Sequence, residues 1–383
     1  MFGIPGLMAG EPLTVVPTFR VFWEAWNLVN AHYVERSAID QTRMTYGAIE
    51  GMLDSLGDFG HTRFLSPQAL RDEREAISGR LEGIGAELVL REQGPTILAP
   101  LPNSPAERAG LKAGDTIVRV DGQEILGLSL EEVVRRIRGR AGTSVSLTVI
   151  HQGATVLTDV TIQREQFTVP SVTWTMAPGT SIAHVLVSQF AEHTGDQLVQ
   201  ALNDARASGA SGLVFDLRNN TGGLRDEAVA VASQFVGDGD VLIEQDAQGT
   251  RTPVPARTGG VALDLPMVAL INEGTASSAE IVAGALQDHQ RAKLVGSTTV
   301  GTGTVLSTFN LTDGSAILLG TREWFTPDGH QIWHHGITPD VPVPLPASVA
   351  PLNPNQESAM SPEALQASQD DQLLRALEIL GSP

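Results

Sequence analysis

The sequence contains no cysteine, which excludes disulfide bonds, thiolate metal sites and a cysteine nucleophile. Lysine is almost absent, because Lys112 and Lys293 are the only two in the chain. Basic residues number 25 against 44 acidic ones, and the net charge of −19 argues against nucleic acid or an anionic membrane as a partner. No apolar run is long enough to span a bilayer. What remains is a 383-residue chain, 42% hydrophobic, that is long enough for two or three domains.

The first 78 residues are predicted to form a leader and a helical region. Residues 1–17 read as a loose leader, and the first ten lack the basic and sustained apolar stretches of a signal peptide. Aromatic and apolar residues then recur at helical spacing from Phe19 to Tyr33, and we expect this face to pack in a core. A second helix ends at a glycine-rich turn, Gly57-Asp58-Phe59-Gly60-His61-Thr62, and a third begins near Pro67.

Residues 79–166 form a separate, β-rich unit. The loop Gly83-Ile84-Gly85 enters a strand, Ser129 caps a helix, and the segment from Val145 to Val149 alternates as a strand. This pattern resembles a PDZ domain. The resemblance implies that the N–H groups of Gly83, Ile84 and Gly85 bind the terminal carboxylate of a peptide, which adds as a strand. The alternative is that these glycines only shape a turn.

Residues 167–343 alternate strand and helix, which predicts an α/β layered core. The remaining residues, 344–383, are predicted to form a polar tail that ends in a short helix over about 371–380. The fold class is therefore α/β multidomain, with an N-terminal helical region, an inserted β-rich domain and an α/β core.

Ser277 occupies the most informative position of the core. The apolar run from Pro266 to Ile271 predicts a buried strand, and a helix is predicted from Ser277 to about Gln287. Ser277 and Glu280 fit the S-x-x-E capping box, which is a purely structural interpretation. A serine at a helix start also has free backbone N–H groups and the positive end of the helix dipole beside it. The second interpretation is therefore a nucleophile.

A second motif supports the nucleophile. The buried strand that starts at Gly212 ends in the polar, glycine-closed stretch DLRNNTGG over residues 216–223, and EGTASSAEIVAGALQDHQRAKLVG covers 273–296. Together these stretches resemble the carboxyl-terminal processing peptidases, over about residues 19–342. The resemblance implies a serine endopeptidase that acts through an acyl-enzyme. In this hypothesis the N–H groups of Gly222 or Gly223 and of Ser278 stabilise the oxyanion.

The usual base of that family is missing. Those peptidases typically pair the serine with a lysine about twenty-five positions later and a glutamine one helical turn beyond; the matching positions here are Thr302 and Leu306. Neither Lys112 nor Lys293 matches the motif. Two explanations remain open: a catalytically inactive, peptide-binding protein, or a different base.

His61 is the leading candidate for a different base. Its turn is similar to one that carries a catalytic histidine in tricorn protease and its relatives, where a glutamate beyond the serine completes a triad; Glu323 is the best match for that glutamate. The purely structural alternative is that His61 stabilises its own turn and that Glu323 is a charged residue at the end of a strand. If His61 lies far from Ser277, the next candidates are His330, His334 and His335.

The sequence prediction is thus a Ser277–His61–Glu323 triad that needs no cofactor and no metal. Expected partners are proteins or peptides with free C-termini, and a homo-oligomer is possible. The resemblance alone suggests a location in the cell envelope, in the periplasm or outside the cell.

Overall fold

The computed structural model describes residues 16–58, 61–91, 93–101, 104–346 and 348–381. All but the last two positions of the predicted leader lie outside these ranges. No helix in the described ranges combines the length and the apolar composition that a bilayer crossing requires.

The N-terminal region contains three helices and one short strand: α1 (Val16–His32), α2 (Gln41–Asp54), β1 (Arg63–Leu65) and α3 (Pro67–Ile77). Asp40 caps α2 by accepting a hydrogen bond from Arg43 N–H. Strand β1 pairs antiparallel with a strand of the core, so the turn that carries His61 is tied directly to the core.

The expectation that the aromatic face of α1 packs in a core is wrong. Phe19 is 49% exposed and Trp23 53% exposed, and their rings contact neighbouring rings of the same helix. Helical spacing identifies an apolar face, but it does not determine which element, if any, covers that face.

The β-rich unit is joined to the rest by a two-stranded neck in which β2 (Arg80–Gly83) pairs antiparallel with β9 (Glu165–Thr168). Between them lies a six-stranded sheet with two helices around one apolar core. These elements are β3 (Ala86–Arg91), β4 (Gly94–Pro100), α4 (Pro105–Arg108), β5 (Thr116–Val120), β6 (Gln123–Glu124), α5 (Leu130–Ile137), β7 (Ser144–Ile150) and β8 (Leu157–Gln163).

The α/β core is built on a six-stranded sheet in the order β10-β11-β12-β15-β16-β19. Its strands are β10 (Val172–Met176), β11 (Ile182–Val187), β12 (Gly212–Asp216), β15 (Met267–Ile271), β16 (Lys293–Gly296) and β19 (Val341–Pro342). They run parallel except β10, which pairs antiparallel with β11. One face is covered by α6 (Thr194–Ala207), α7 (Arg225–Ala232) and α8 (Ser278–Asp288). Because both faces are covered, the central strands are continuously apolar rather than alternating.

A second sheet contributes to the site. It consists of β13 (Asp240–Asp246), β14 (Arg251–Pro255), β17 (Thr304–Asn310) and β18 (Ala316–Phe325), together with β1. Because β1 and β17 both pair with β18, the N-terminal region and the segment after Thr302 meet on one sheet.

The description of residues 344–383 as a polar tail needs correction. Three helices occur there: α9 (Pro354–Glu357), α10 (Pro362–Gln366) and α11 (Asp371–Ile379). Leu365, Leu373 and Leu377 are buried against the other face of the core sheet. The three helices are short, and their apolar residues are too widely spaced to give a clear helical periodicity. The sequence therefore indicated only the terminal helix.

A buried ion network fastens these helices to the core. His184 on β11 lies between two carboxylates, 3.1 Å from Asp216 Oδ2 and 2.6 Å from Glu357 Oε2. Arg218 donates to Asp216 Oδ2 at 2.7 Å and to Asp370 Oδ1 at 2.7 Å. All five side chains are almost fully buried. The network therefore connects the C-terminal helices to the strand end from which the loop 216–223 departs.

Each charge in this network stabilises the opposite one. Burial by itself would lower the pKa of His184, but hydrogen bonds and charges from Asp216 and Glu357 outweigh burial and raise that pKa to about 9. Burial by itself would raise the pKa of Asp216, but Arg218 and His184 lower it to about 2. The His184 contribution is complete below the ordinary histidine pKa of 6.5 and is lost as the pH rises through about 9. The Asp216 contribution is complete above 3.8 and is lost as the pH falls through about 2.

We therefore predict that the free energy of unfolding falls as the pH rises from about 6.5 to 9, and that Glu357→Ala removes most of this dependence. Glu357→Ala should cost about 3 to 5 kcal/mol, because it leaves the buried imidazolium short of a partner. Urea unfolding at several pH values measures both effects. Glu378→Ala, which removes an exposed carboxylate of α11, is the control and should change little. An unchanged pH slope in Glu357→Ala would contradict the role of the network.

Candidate active site

Ser277 lies in a strained turn between β15 and α8. Its backbone angles are φ 54° and ψ −122°, a conformation that residues other than glycine rarely adopt. Such strain costs on the order of 1 to 3 kcal/mol and persists only where the surroundings enforce it. The Glu280 half of the predicted capping box is present, because Glu280 Oε2 accepts from Ser277 N–H at 2.8 Å, whereas Glu280 N–H donates to the Ser277 carbonyl oxygen at 2.7 Å. The structural and functional interpretations of Ser277 are therefore compatible.

Glu280 is the group that enforces the turn. Its carboxylate is fully buried and accepts hydrogen bonds from the N–H groups of Ser277 (2.8 Å), Gly301 (2.6 Å) and Thr302 (2.9 Å). The hydroxyls of Thr299 and Thr302 donate to it as well. The five hydrogen bonds to this carboxylate offset the free-energy cost of removing it from water. Glu280 thereby locks the start of α8 to the loop 299–302.

Thr302 lies at the position expected for the family's lysine. Its hydroxyl accepts a hydrogen bond from Ser277 N–H at 2.6 Å and donates one to Glu280 Oε2 at 2.9 Å. Threonine thus supports the Ser277 turn but provides no titrating group. Lys112 and Lys293 are exposed, and neither lines the cavity beside Ser277.

The loop 216–223 packs directly against the Ser277 turn. A Cβ atom on Gly222 would lie 2.7 Å from Ser277 Cβ, and one on Gly223 would lie 2.3 Å from the carbonyl oxygen of Phe190. Both residues have positive φ, so glycine is required on two grounds. Ser278 Oγ donates to the Gly223 carbonyl at 2.9 Å, which joins the loop to α8.

The three predicted oxyanion donors differ in their present bonding. Gly222 N–H donates to Asn220 Oδ1 at 2.8 Å and is therefore occupied. The N–H groups of Gly223 and Ser278 have no acceptor among the described residues. Gly223 and Ser278 are therefore the two predicted donors whose N–H groups are free to bind an oxyanion.

His61 and Ser277 line the same cavity, which has a volume of about 560 Å³. The imidazole is buried, and its Nδ1 lies 2.6 Å from Thr304 Oγ1 at the start of β17. Nε2 makes no hydrogen bond within the described ranges. Burial lowers the pKa of His61, the charge of Asp58 acts in the opposite direction, and the charge of Arg63 lowers the pKa further. The ring is therefore neutral, and able to accept a proton, at neutral pH.

Glu323 lies across the sheet from Thr304 but makes no hydrogen bond or ion pair with His61 among the described residues. Its Cα is paired with that of Thr304 across β17 and β18, so the two side chains share one face of the sheet. None of the hydrogen bonds or ion pairs among the described residues joins Glu323 to His61; Thr304 occupies Nδ1 instead.

The alternative histidines lie outside the cavity. His330 contacts Thr326 and Asp288, His334 stacks on Trp333, and His335 Nδ1 lies 2.8 Å from the Trp333 carbonyl.

The loop 83–85, which is predicted to bind a carboxylate, has its carbonyl groups directed into hydrogen bonds within the β-rich unit. The Ile84 carbonyl accepts a hydrogen bond from Ala106 N–H at 2.7 Å, and the Gly85 carbonyl accepts one from Leu101 N–H at 2.9 Å. Gly85 has φ 72°, and a Cβ there would lie 2.4 Å from Ser104 Cβ. The carbonyls of this loop are occupied, whereas the N–H groups of Ile84 and Gly85 lack an acceptor within the described residues.

Comparison with known proteins identifies the family. The profile of Peptidase family S41 matches residues 181–343, and a PDZ domain profile matches 96–150. A carboxyl-terminal-processing protease of Synechocystis is 37% identical over 326 residues, which cover 84% of this chain and 76% of that protein. The chain belongs to the S41 family of serine peptidases. A probable CtpA-like serine protease of Staphylococcus aureus is 35% identical to this S41 peptidase over 325 residues, or 84% of this chain, and the chain spans 64% of that protein's length.

Solved structures agree with this assignment. The photosystem II D1 C-terminal processing protease covers 89% of this S41 peptidase and is itself covered over 96%, with 32% identity and a TM-score of 0.52. An S41 protease structure from Bacteroides fragilis shares the fold, with 17% identity and a TM-score of 0.57 over 93% of this chain and 96% of that one. The expected resemblance, the mixed fold with its PDZ domain and the serine-type peptidase class are confirmed.

We predict that Gly222→Ala lowers peptidase activity by about a hundredfold, because the added methyl group displaces Ser277. Gly249→Ala is the matched control. Gly249 also has positive φ, but no atom lies within 4 Å of the position its Cβ would take. Both variants should be compared by initial rates of proteolysis and by thermal unfolding. Equal activity losses in the two variants would show that backbone strain, rather than contact with Ser277, is responsible.

Proposed function

We propose that this chain is a carboxyl-terminal processing serine endopeptidase in which Ser277 is the nucleophile and His61 is the general base. The observation that carries the proposal is that Ser277 and His61 line one cavity although 216 positions separate them in sequence. The strained Ser277 turn, the neutral imidazole and the open N–H groups beside them fit the same role.

In the proposed reaction, Ser277 Oγ attacks the peptide carbonyl and His61 Nε2 takes its proton. The N–H groups of Gly223 and Ser278 stabilise the oxyanion, and the absence of a side chain on Gly222 lets this loop lie against Ser277. The tetrahedral intermediate then collapses to an acyl-enzyme, and His61 returns the proton to the leaving amine. Water hydrolyses the acyl-enzyme by the same route in reverse.

Glu323 completes the triad in the sequence prediction, and its position beside Thr304 is what supports that role. For Glu323 to act on the imidazole in the present geometry, the hydroxyl of Thr304 would have to connect the two groups. The assignment of Glu323 remains a prediction.

A catalytically inactive, peptide-binding protein is the rival function. Its support is the replacement of the family's lysine and glutamine by Thr302 and Leu306. Against it stands the strained backbone of the Ser277 turn, which a peptide-binding protein would not need.

We predict that Ser277→Ala and His61→Ala each abolish proteolysis of an unstructured protein, with losses of at least about a thousandfold. The double variant should lose no more than either single variant, because the two groups act as a unit. In the wild type the acidic limb of the pH–rate profile should lie below pH 6.5, because the pKa of His61 is lowered.

His289→Ala is the control for removal of a histidine, since His289 contacts the Asp240 carbonyl, which is not part of the cavity lining. Wild-type activity in His61→Ala would refute the base. Proteolysis that is absent from the wild type would favour the inactive protein.

The PDZ domain is proposed to present the C-terminus of the substrate. The N–H groups of Ile84 and Gly85 would bind a carboxylate in the manner typical of such loops. We place the enzyme in the cell envelope, in line with the resemblance to processing proteases.

We predict that amidation of a substrate peptide's C-terminus weakens its binding about tenfold or more, because charge-assisted hydrogen bonds to the loop are lost. Calorimetric titration of the Ser277→Ala protein with acid and amide forms of one peptide measures this effect. Equal affinities would count against the role of the loop.

A further inference from the structure

The support of the His61 imidazole comes from a group of residues that the sequence prediction did not include. Thr304 Oγ1 lies 2.6 Å from Nδ1, and Asp58 Oδ2 lies 3.9 Å from the same nitrogen. The side chain of Asp58 is only 12% exposed. Within the described residues, Asp58 is the one carboxylate at ion-pair distance from the imidazole.

Asp58 is held in place by its own turn. Thr62 donates to Asp58 Oδ2 through its hydroxyl at 2.6 Å and through its N–H at 3.2 Å. The same hydroxyl accepts from Gly320 N–H at 3.0 Å, which fastens the turn to β18. The carboxylate is therefore fixed relative to the core as well as to its own turn.

Gly320 keeps open the space in which these groups meet. A Cβ atom there would lie 3.2 Å from Thr304 Oγ1 and 3.3 Å from Asp58 Oδ2. Gly320 does not have positive φ, so glycine is not needed for the backbone. Its lack of a side chain instead allows Thr304 and Asp58 to approach His61 from neighbouring directions.

The charges around the His61 ring determine the electrostatic effect of Asp58. Arg63, which is paired with Glu73 at 2.7 Å, and the burial of the ring both oppose a positive imidazole, whereas Asp58 favours it. Removal of the Ser277 proton generates an imidazolium in this partly desolvated site, and an imidazolium there needs a nearby negative charge. In the part of the chain that the structure describes, Glu323 on β18 forms no ion pair with the imidazole.

We propose that Asp58 is the positioning carboxylate of the base, and that Thr304 accepts a hydrogen bond from Nδ1–H so that Nε2 faces the cavity as the proton acceptor. This inference depends on the proposed role of His61 as the base. Asp58 acts through His61 and does not touch the substrate. Its effect is to stabilise the imidazolium that forms in the transition state, while Thr304 selects the tautomer.

The test is the pH–rate profile of Asp58→Asn, which keeps the size and the hydrogen-bonding capacity of the side chain but removes its charge. We expect kcat to fall about ten- to a hundredfold with little change in KM, because the stabilised species is the transition state. The acidic limb should move to lower pH, since the charge that raises the pKa of His61 is gone. Asp54→Asn, an exposed residue of the preceding helix, is the charge control and should leave the profile unchanged.

Glu323→Gln tests the alternative that Glu323, rather than Asp58, is the carboxylate that supports His61. A shift of the limb in Glu323→Gln but not in Asp58→Asn would overturn the proposal in favour of the glutamate. A wild-type kcat and limb in Asp58→Asn would overturn it as well, and would leave Asp58 as a brace of the turn.

Gly320→Ala is the second variant and decides the matter if Asp58→Asn does not fold. The methyl group should push on Thr304 and Asp58 and lower kcat without a change of charge, whereas unchanged kcat in a folded Gly320→Ala protein would contradict the proposal. The activity of His61→Ala distinguishes a failure of the proposed base from a failure of the proposed role of Asp58. Activity retained there refutes the proposed base itself. Activity lost there but intact in Asp58→Asn refutes only the role of Asp58.

Discussion

The buried carboxylate of Glu280 is the constraint on which the rest of the site depends. It holds the Ser277 backbone in an unfavourable conformation and binds the loop 299–302 with the same two oxygens. Burial of a carboxylate without hydrogen-bond partners costs several kcal/mol of stability. The surrounding donors are therefore required as much as the carboxylate itself. The strain at Ser277 therefore depends on Glu280, and loss of the Glu280 carboxylate would remove the acceptor that holds the turn.

Replacement of the family's lysine by Thr302 has a clear structural consequence. A lysine at that position would supply the base from within the core, whereas a histidine at position 61 must come from the N-terminal region. That region is correspondingly fixed to the core, through the pairing of β1 with β18 and the contact of His61 with Thr304. With His61 as the proposed base, the position of the base depends on packing between two parts of the fold rather than on one loop.

Much of this arrangement could be predicted from sequence, because it is encoded locally. The strand-to-helix junction at Ser277, the glycine-closed loop 216–223 and the PDZ domain each have compact motifs. Most of the missed features are tertiary. Thr304 lies 243 positions from His61, so no local motif indicates their contact, and the exposure of the α1 aromatic residues depends on which element lies beside them. Asp58 belongs to the same turn as His61, but its spacing does not by itself show that its carboxylate approaches the imidazole. Of the three C-terminal helices the sequence predicted the last, α11, but their attachment to the core was missed because it depends on the pairing of Glu357 and Asp370 with residues far away in sequence.

The most direct test of the account is the rate at which a fluorophosphonate labels Ser277 as a function of pH. Intact-mass spectrometry with peptide mapping follows the adduct from about pH 5 to 9, a range that covers histidine but not an unperturbed lysine. The account predicts one ionisation with a midpoint below pH 6.5 in the wild type, and slow labelling at every pH in His61→Ala. Labelling of His61→Ala at the wild-type rate, or a wild-type rate that is still rising steeply at pH 9, would contradict it.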